Sequence, residues 1–380
     1  MRHLSDTIRR LTALRDPAHR HAAHDDARLT RLDGFGSNPG DLKAFVHVPA
    51  VLPDKAALVV VLHGCTQTAA AYDVGAGWSD MADRHGFVVL FPEQQRQNNA
   101  NLCFNWFSPA DTRRDSGEVL SVRQMIAAVG KAHAIDPARI FVTGLSAGGA
   151  MASALLATYP EVFAGGAIIA GLPFGCASTI PQAFDRMRGH DLPGERELST
   201  MVRNASDHPG PWPTISIWQG SADATVNASN ADAIVRQWRP LHYVASRPDR
   251  QEVVSGHSRQ VWCDAAGREV IESYSIQGMG HGTPLATAGE DGCGTAGAFM
   301  LEAGISSTRH ICRFWNLLAP QDASVRGITV EAQPERVRQT AATGTTTHHH
   351  EASAAGAAAP NGGGVSKVIE DALRAAGLMR

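Results

Sequence analysis

At 380 residues, 43% of them hydrophobic and 19% charged, the chain can bury the core of one large globular domain or of two small ones. Its formal net charge of -3 gives no drive toward nucleic acid or anionic lipid, and no apolar run is long enough to span a bilayer. The six cysteines, at 65, 103, 176, 263, 293 and 312, form no C-x-x-C pair, which argues against a zinc ribbon or a thioredoxin-like motif.

Residues 1–30 place Leu4, Ile8, Leu11 and Leu14 at near-helical spacing, with Arg9, Arg10 and Arg15 between them. The stripe is short, so a helical segment packed on the main domain is expected in preference to a membrane-surface anchor. The segment has neither a continuous apolar core nor a small-residue cleavage site. A cytoplasmic location is therefore favoured, with an extracellular one as the alternative.

From about residue 40 the pattern alternates. "LKAFVHVP" reads as an outer strand, and "ALVVVLHG" is a continuous β-branched run of the kind buried on both faces. "GFVVLFPE", "RIFVTGLS", "AGGAIIAG", "TISIWQGSAD" and "EVIESYSIQGMGH" follow, several of them separated by helical stretches. In "DSGEVLSVRQMIAAVGKAHAIDP", Asp115 and Glu118 suggest a capping box, and Asp136-Pro137 a stop. Strands alternating with helices predict an α/β domain over 31–320, its mainly parallel sheet covered on both faces. Beyond it, 321–364 is rich in Ala, Thr and Gly and predicts a flexible linker. The triple histidine there reads as part of a solvated tract, so no metal is expected. Residues 365–380 regain a helical face through Val365, Val368, Ile369, Ala372, Leu373 and Ala376, predicting a C-terminal amphipathic helix.

"RIFVTGLSAGGAM" contains Gly144-Leu145-Ser146-Ala147-Gly148, a G-x-S-x-G motif between a predicted strand and a predicted helix. A nucleophilic serine in that setting sits on a sharp, strained turn, and the flanking glycines remove side chains that would clash. A serine hydroxyl needs a base, and the base an orienting acid, in the chain order Ser, Asp or Glu, His. Asp223 in "WQGSADATV" and His281 in "IQGMGHGTP" follow predicted strands and supply them. Asp232 falls within a helical run, His257 at a hairpin, and Asp207 and His208 in a Pro-rich loop, so they are less well placed. The N–H groups of Ala147 and Cys65 are the candidate oxyanion donors, and His63 is expected to brace the loop that carries Cys65.

These stretches, with "GSNPGDLKAFVHVP", "VVVLHGCTQTAAAYD" and "FNWF", occur in the order found in the polyhydroxybutyrate (PHB) depolymerase family of esterases, which the chain resembles over roughly residues 32–318. The resemblance implies an α/β-hydrolase fold and a carboxylic ester hydrolase with Ser146 as nucleophile, His281 as base and Asp223 as orienter, needing no cofactor. It implies an ester substrate, a polyester or its 3-hydroxyacyl oligomers first, with a polymer granule surface as a partner. Feruloyl or acetylxylan ester hydrolysis is the alternative within the family, and a granule-associated scaffold the non-enzymatic one. Trp106 in "FNWF" and Tyr72 are the candidate substrate-contacting rings, while Trp218, inside a predicted strand, reads as core. Two readings of the cysteines stay open: Cys65 and Cys103, in two family-like motifs, pair and tie the oxyanion loop to the "FNWF" loop, or all six are buried thiols.

Overall fold

A computed structural model describes residues 28–289 and 292–318. The helical segment expected at the N-terminus lies outside the described residues up to 27, and Arg28–Thr30 lead into a short strand, β1 (Thr30–Arg31). The expected linker at 321–364 and helix at 365–380 also lie outside the described residues.

The stretches read as strands become β2 (Lys43–His47), β3 (Ala56–Leu62), β4 (Phe87–Glu93), β5 (Ile135–Leu145), β6 (Gly165–Ile169), β7 (Thr214–Gly220) and β10 (Glu269–Ile276). With β8 (Arg250–Val254) and β9 (His257–Cys263) they form one ten-stranded sheet in the order β1-β2-β4-β3-β5-β6-β7-β10-β9-β8. The run β4-β3-β5-β6-β7-β10 is parallel throughout, and antiparallel strands flank it on both sides.

Every residue of β3 is buried, which explains its unbroken apolar sequence. Its side chains still alternate. Leu58, Val60 and Leu62 join a core with Val119 and Val122 of helix Gly117–Ala132 and with Met151 and Leu155 of helix Ala147–Thr158. Ala57, Val59 and Val61 join a second core with Tyr72, Trp78 and Met81 and with Ile311 of helix Ser307–Phe314. The period of two thus divides the hydrophobic residues between two faces, each covered by helices.

Two local readings are corrected. The helix after "DS" begins after Ser116, whose hydroxyl donates to Arg113 O at 2.8 Å instead of capping it, and there is no capping box. Asp115 has φ 62° and accepts from the Tyr159 hydroxyl at 3.1 Å, and Glu118 turns inward and is fully buried. The same helix ends at Ala132, so Asp136-Pro137 lies inside β5 instead of closing it. A parallel sheet gathers the carboxyl ends of its strands along one edge. Residues 63–67 follow β3, 94–105 follow β4, Ser146 follows β5, Asp223 follows β7 and His281 follows β10.

Candidate active site

Ser146 is the only residue of 141–160 that is not buried. It has φ 57° and ψ -118°, a strained conformation for a residue with a side chain, and helix Ala147–Thr158 begins immediately after it. The glycines make the turn sterically possible. A Cβ on Gly144 would come within 2.4 Å of the Gly148 backbone, and one on Gly148 within 2.4 Å of Leu62 O. Strand, turn and the end of β3 therefore pack backbone against backbone. The Ser146 N–H donates to Ile169 O at 2.9 Å, fixing the turn to β6. The Ala147 N–H belongs to the first turn of a helix, where such groups lack partners within the helix.

Asp223 and His281 meet, with His281 Nδ1 2.7 Å from Asp223 Oδ2 and both side chains almost wholly buried. Three further donors hold the carboxylate: Gln219 Nε2 on Oδ2 at 3.0 Å, and the Thr225 and Val226 N–H groups on Oδ1 at 2.8 Å each. The Thr225 and Val226 bonds form a local Asp turn within the loop after β7. Gly220 lets the two loops touch, since a Cβ there would lie 2.4 Å from Met279 O. The acceptor role of Asp223 assigns the proton to His281 Nδ1 and leaves Nε2 as the basic nitrogen. Phe299, in the left-handed region with φ 62°, stands edge to face against His281 with 6.1 Å between ring centroids, and its carbonyl accepts from Thr283 N–H at 2.8 Å. Sequence reasoning missed Phe299 and Gln219.

The rival residues lie elsewhere. His257 opens β9 and is tied to Ala303 O at 2.8 Å and to Gln277 N–H at 3.1 Å. Asp232 is exposed on helix Ser229–His242, and His208 bonds Pro211 O at 2.8 Å.

The loop after β3 is fastened at several points. His63 accepts from Gln94 N–H at Nε2 (3.1 Å), which places its proton on Nδ1, where it donates to Gly64 O (2.7 Å). Burial pushes the His63 pKa down to about 4, so the ring braces the loop as a neutral group. Cys65 and Cys103 form a disulfide across a sequence separation of 38, which decides between the two readings of that pair. The next N–H, that of Thr66, donates to Asn101 O at 2.7 Å. Gln94 leads on to Glu118, the buried carboxyl mistaken for a helix cap.

The aromatic expectations divide. Trp218 is core, stacked on Tyr274 with 3.8 Å between centroids. Tyr72 is not a cleft residue: it is fully buried in the second core, and its hydroxyl meets Thr283 Oγ1 at 3.3 Å. It follows Thr68, the N-cap of helix Ala69–Ala76, by one turn, and that helix packs under the sheet. Trp106 is also largely buried, a member of the first core with 9% of its surface exposed, and meets Phe107 edge to face at 5.7 Å. No helix among the described residues is long and apolar enough to cross a membrane.

Comparison with known proteins matches residues 43–251 to the family model described as Esterase PHB depolymerase. The chain is 45% identical over 292 residues to Poly(3-hydroxyalkanoate) depolymerase C of Paucimonas lemoignei, covering 76% of this chain and 70% of that protein. It is 32% identical to an acetylxylan esterase of Coprinopsis cinerea, covering 68% and 70% respectively. Among solved structures, an acetyl xylan esterase from Aspergillus awamori superposes with a TM-score of 0.62 at 23% identity, over 67% of this chain and 93% of that one, which shows a shared fold.

Proposed function

Since this chain is a carboxylic ester hydrolase belonging to the PHB depolymerase family of esterases, we propose that Ser146, His281 and Asp223 are its nucleophile, base and orienting acid. Ser146 Oγ attacks the ester carbonyl as its proton passes to His281 Nε2, and Asp223 stabilises the imidazolium through Nδ1–H. The Cys65 and Ala147 N–H groups receive the developing oxyanion. His281 then returns the proton to the departing alcohol, and water repeats the sequence on the acyl-enzyme. The observation that carries this reading is the buried 2.7 Å contact between His281 and Asp223, on loops following the same sheet edge as the strained Ser146 turn.

The proposed substrate is an aliphatic polyester of 3-hydroxyacyl units or its oligomers, presented on a polymer surface. The 45% identity to a poly(3-hydroxyalkanoate) depolymerase, against 32% to an acetylxylan esterase, supports that order. Trp106 is the proposed substrate-contacting ring. The Cys65–Cys103 bridge supports an oxidising compartment, the extracellular alternative, over the cytoplasmic expectation. Residues 31–320 are proposed as a sufficient catalytic domain. The deciding experiment compares kcat/KM on 3-hydroxybutyrate oligomers, amorphous granules, methyl ferulate and acetylated xylan. Preference for a hydroxyacyl substrate supports the proposal, and preference for ferulate or acetylated xylan moves the chain to the plant-ester side of the family.

A further inference from the structure

Glu118 lies outside the residues that touch an ester in the mechanism above, yet its side-chain hydrogen bonds all go to residues 94–105, the stretch that is fastened to the oxyanion loop. Its Oε1 accepts from Gln94 Nε2 at 2.6 Å, Asn105 Nδ2 at 2.8 Å and Asn98 Nδ2 at 3.2 Å, and its Oε2 accepts from Asn105 N–H at 2.9 Å. None of the donors is free to reverse. Gln94 Nε2 also donates to Cys103 O, and Gln94 Oε1 accepts from Gln95 N–H. Asn98 Nδ2 also donates to Gly40 O. Asn99 Oδ1 accepts from the Asn101 and Cys103 N–H groups, so Asn99 Nδ2 must donate to Asn105 Oδ1, which leaves Asn105 Nδ2 pointing at Glu118. Each amide is oriented by a backbone group, directly or, for Asn105, through Asn99, and the socket is built for an acceptor on both oxygens.

The chain of contacts continues from Gln94 N–H to His63 Nε2 and from His63 Nδ1 to Gly64 O, one residue before the proposed oxyanion donor. The disulfide and the bond from Thr66 N–H to Asn101 O join the same two loops on the far side of Cys65. We propose that Glu118 is a positioning residue for ester hydrolysis, holding residues 94–105 so that Gln94 and His63 fix the direction of the Cys65 N–H; this rests on the reading of Cys65 as an oxyanion donor. Burial and the nearby Asp111 carboxylate push the Glu118 pKa up, and the hydrogen bonds from Asn105 and Gln94 act against that by favouring the carboxylate. A buried carboxyl with neutral donors only is an expensive way to hold a loop, and the locked amides explain why an apolar residue of the same size does not serve.

The test is steady-state kinetics of the full chain on a soluble p-nitrophenyl ester, with melting temperature measured alongside. In Glu118→Gln the amide nitrogen must face one of the fixed donors. A displaced oxyanion donor should cost part of what a deleted one costs, so kcat should fall by roughly 10–100-fold with KM within about twofold. Val119→Ala, which opens the core beside Glu118 on the same helix, is the stability control and should leave kcat near wild type. Should Glu118→Gln fail to fold, Asn105→Ala, which leaves the carboxyl in place, should show the same selective loss in kcat. A kcat loss no greater than that of Val119→Ala, or a rise in KM alone, overturns the inference. Failure of the proposed ester hydrolysis at Ser146, on which the oxyanion role of Cys65 itself depends, is distinguishable: wild-type Ser146 would then not be acylated by the ester at all, whatever residue stands at 118.

Discussion

Two buried carboxylates flank the proposed chemistry, each accepting from four donors, and they differ in where those donors come from. Asp223 is held by Gln219, Thr225 and Val226, all within four residues, and by His281. Glu118 is held by Gln94, Asn98 and Asn105, between 13 and 24 residues upstream. The first is a local turn that presents one oxygen to His281, the proposed base, which in that reading becomes cationic during turnover. The second is a long-range socket of neutral amides that does not face the reacting atoms. In the proposed reading the same chemical group orients a proton carrier on one side and holds loop geometry on the other.

Breaking the His281 side should have the largest effect on activity. His281→Ala removes the proposed base and should lower kcat/KM on a soluble ester by on the order of 10⁶-fold. Asp223→Asn keeps the shape but presents an amide to the imidazole, and should cost less, roughly 10⁴-fold. An Asp223→Asn variant with near-normal activity would remove the distinction between the two carboxylates.

Breaking the covalent link on the oxyanion side should act on stability first. The double change of Cys65 and Cys103 to Ala releases a loop of 38 residues in sequence separation. The chain-entropy model sets the loss at roughly 3–4 kcal/mol, readable by urea or guanidinium unfolding. A loss near zero would show that the Glu118 socket and its neighbours hold the loop without the bridge.

The smallest effect is in pH. Burial lowers the His63 pKa from 6.5 to about 4, so the unfolded chain binds its proton first and the stability contributed by neutral His63 is lost as pH falls from 6.5 toward 4. His63→Gln should flatten the acid limb of a melting-temperature profile. A profile parallel to wild type in that variant would contradict this assignment.

The contrast between the carboxylates also explains what the sequence made legible. The Ser146 turn, the strands and the loop of Asp223 are encoded over a few consecutive residues, by glycines where backbones touch and by β-branched runs buried on both faces. Glu118 was misread because a Ser or Asp followed by a Glu resembles a cap at close range. The signal against that reading was present: Glu118 shares a helical face with the buried Val122, Met125 and Val129. A charge on an apolar face needs partners, and the Asn- and Gln-rich stretch at 94–105 holds them, but only the fold brings the two together. Tyr72 was misplaced for a related reason, since its position near the oxyanion loop in sequence says nothing about which side of the sheet its ring faces. Phe299 carried no motif and becomes visible only where its ring meets His281.

The proposal that Ser146 is the nucleophile is tested most directly by covalent labelling with a fluorophosphonate, read by intact mass on wild type and Ser146→Ala. One adduct per chain is expected in wild type, mapped by proteolysis to the peptide containing Ser146, and none in Ser146→Ala, with the two proteins melting within a few degrees of each other. An adduct of equal yield in Ser146→Ala, or full ester turnover by that variant, would place the chemistry on another residue and contradict the site described here.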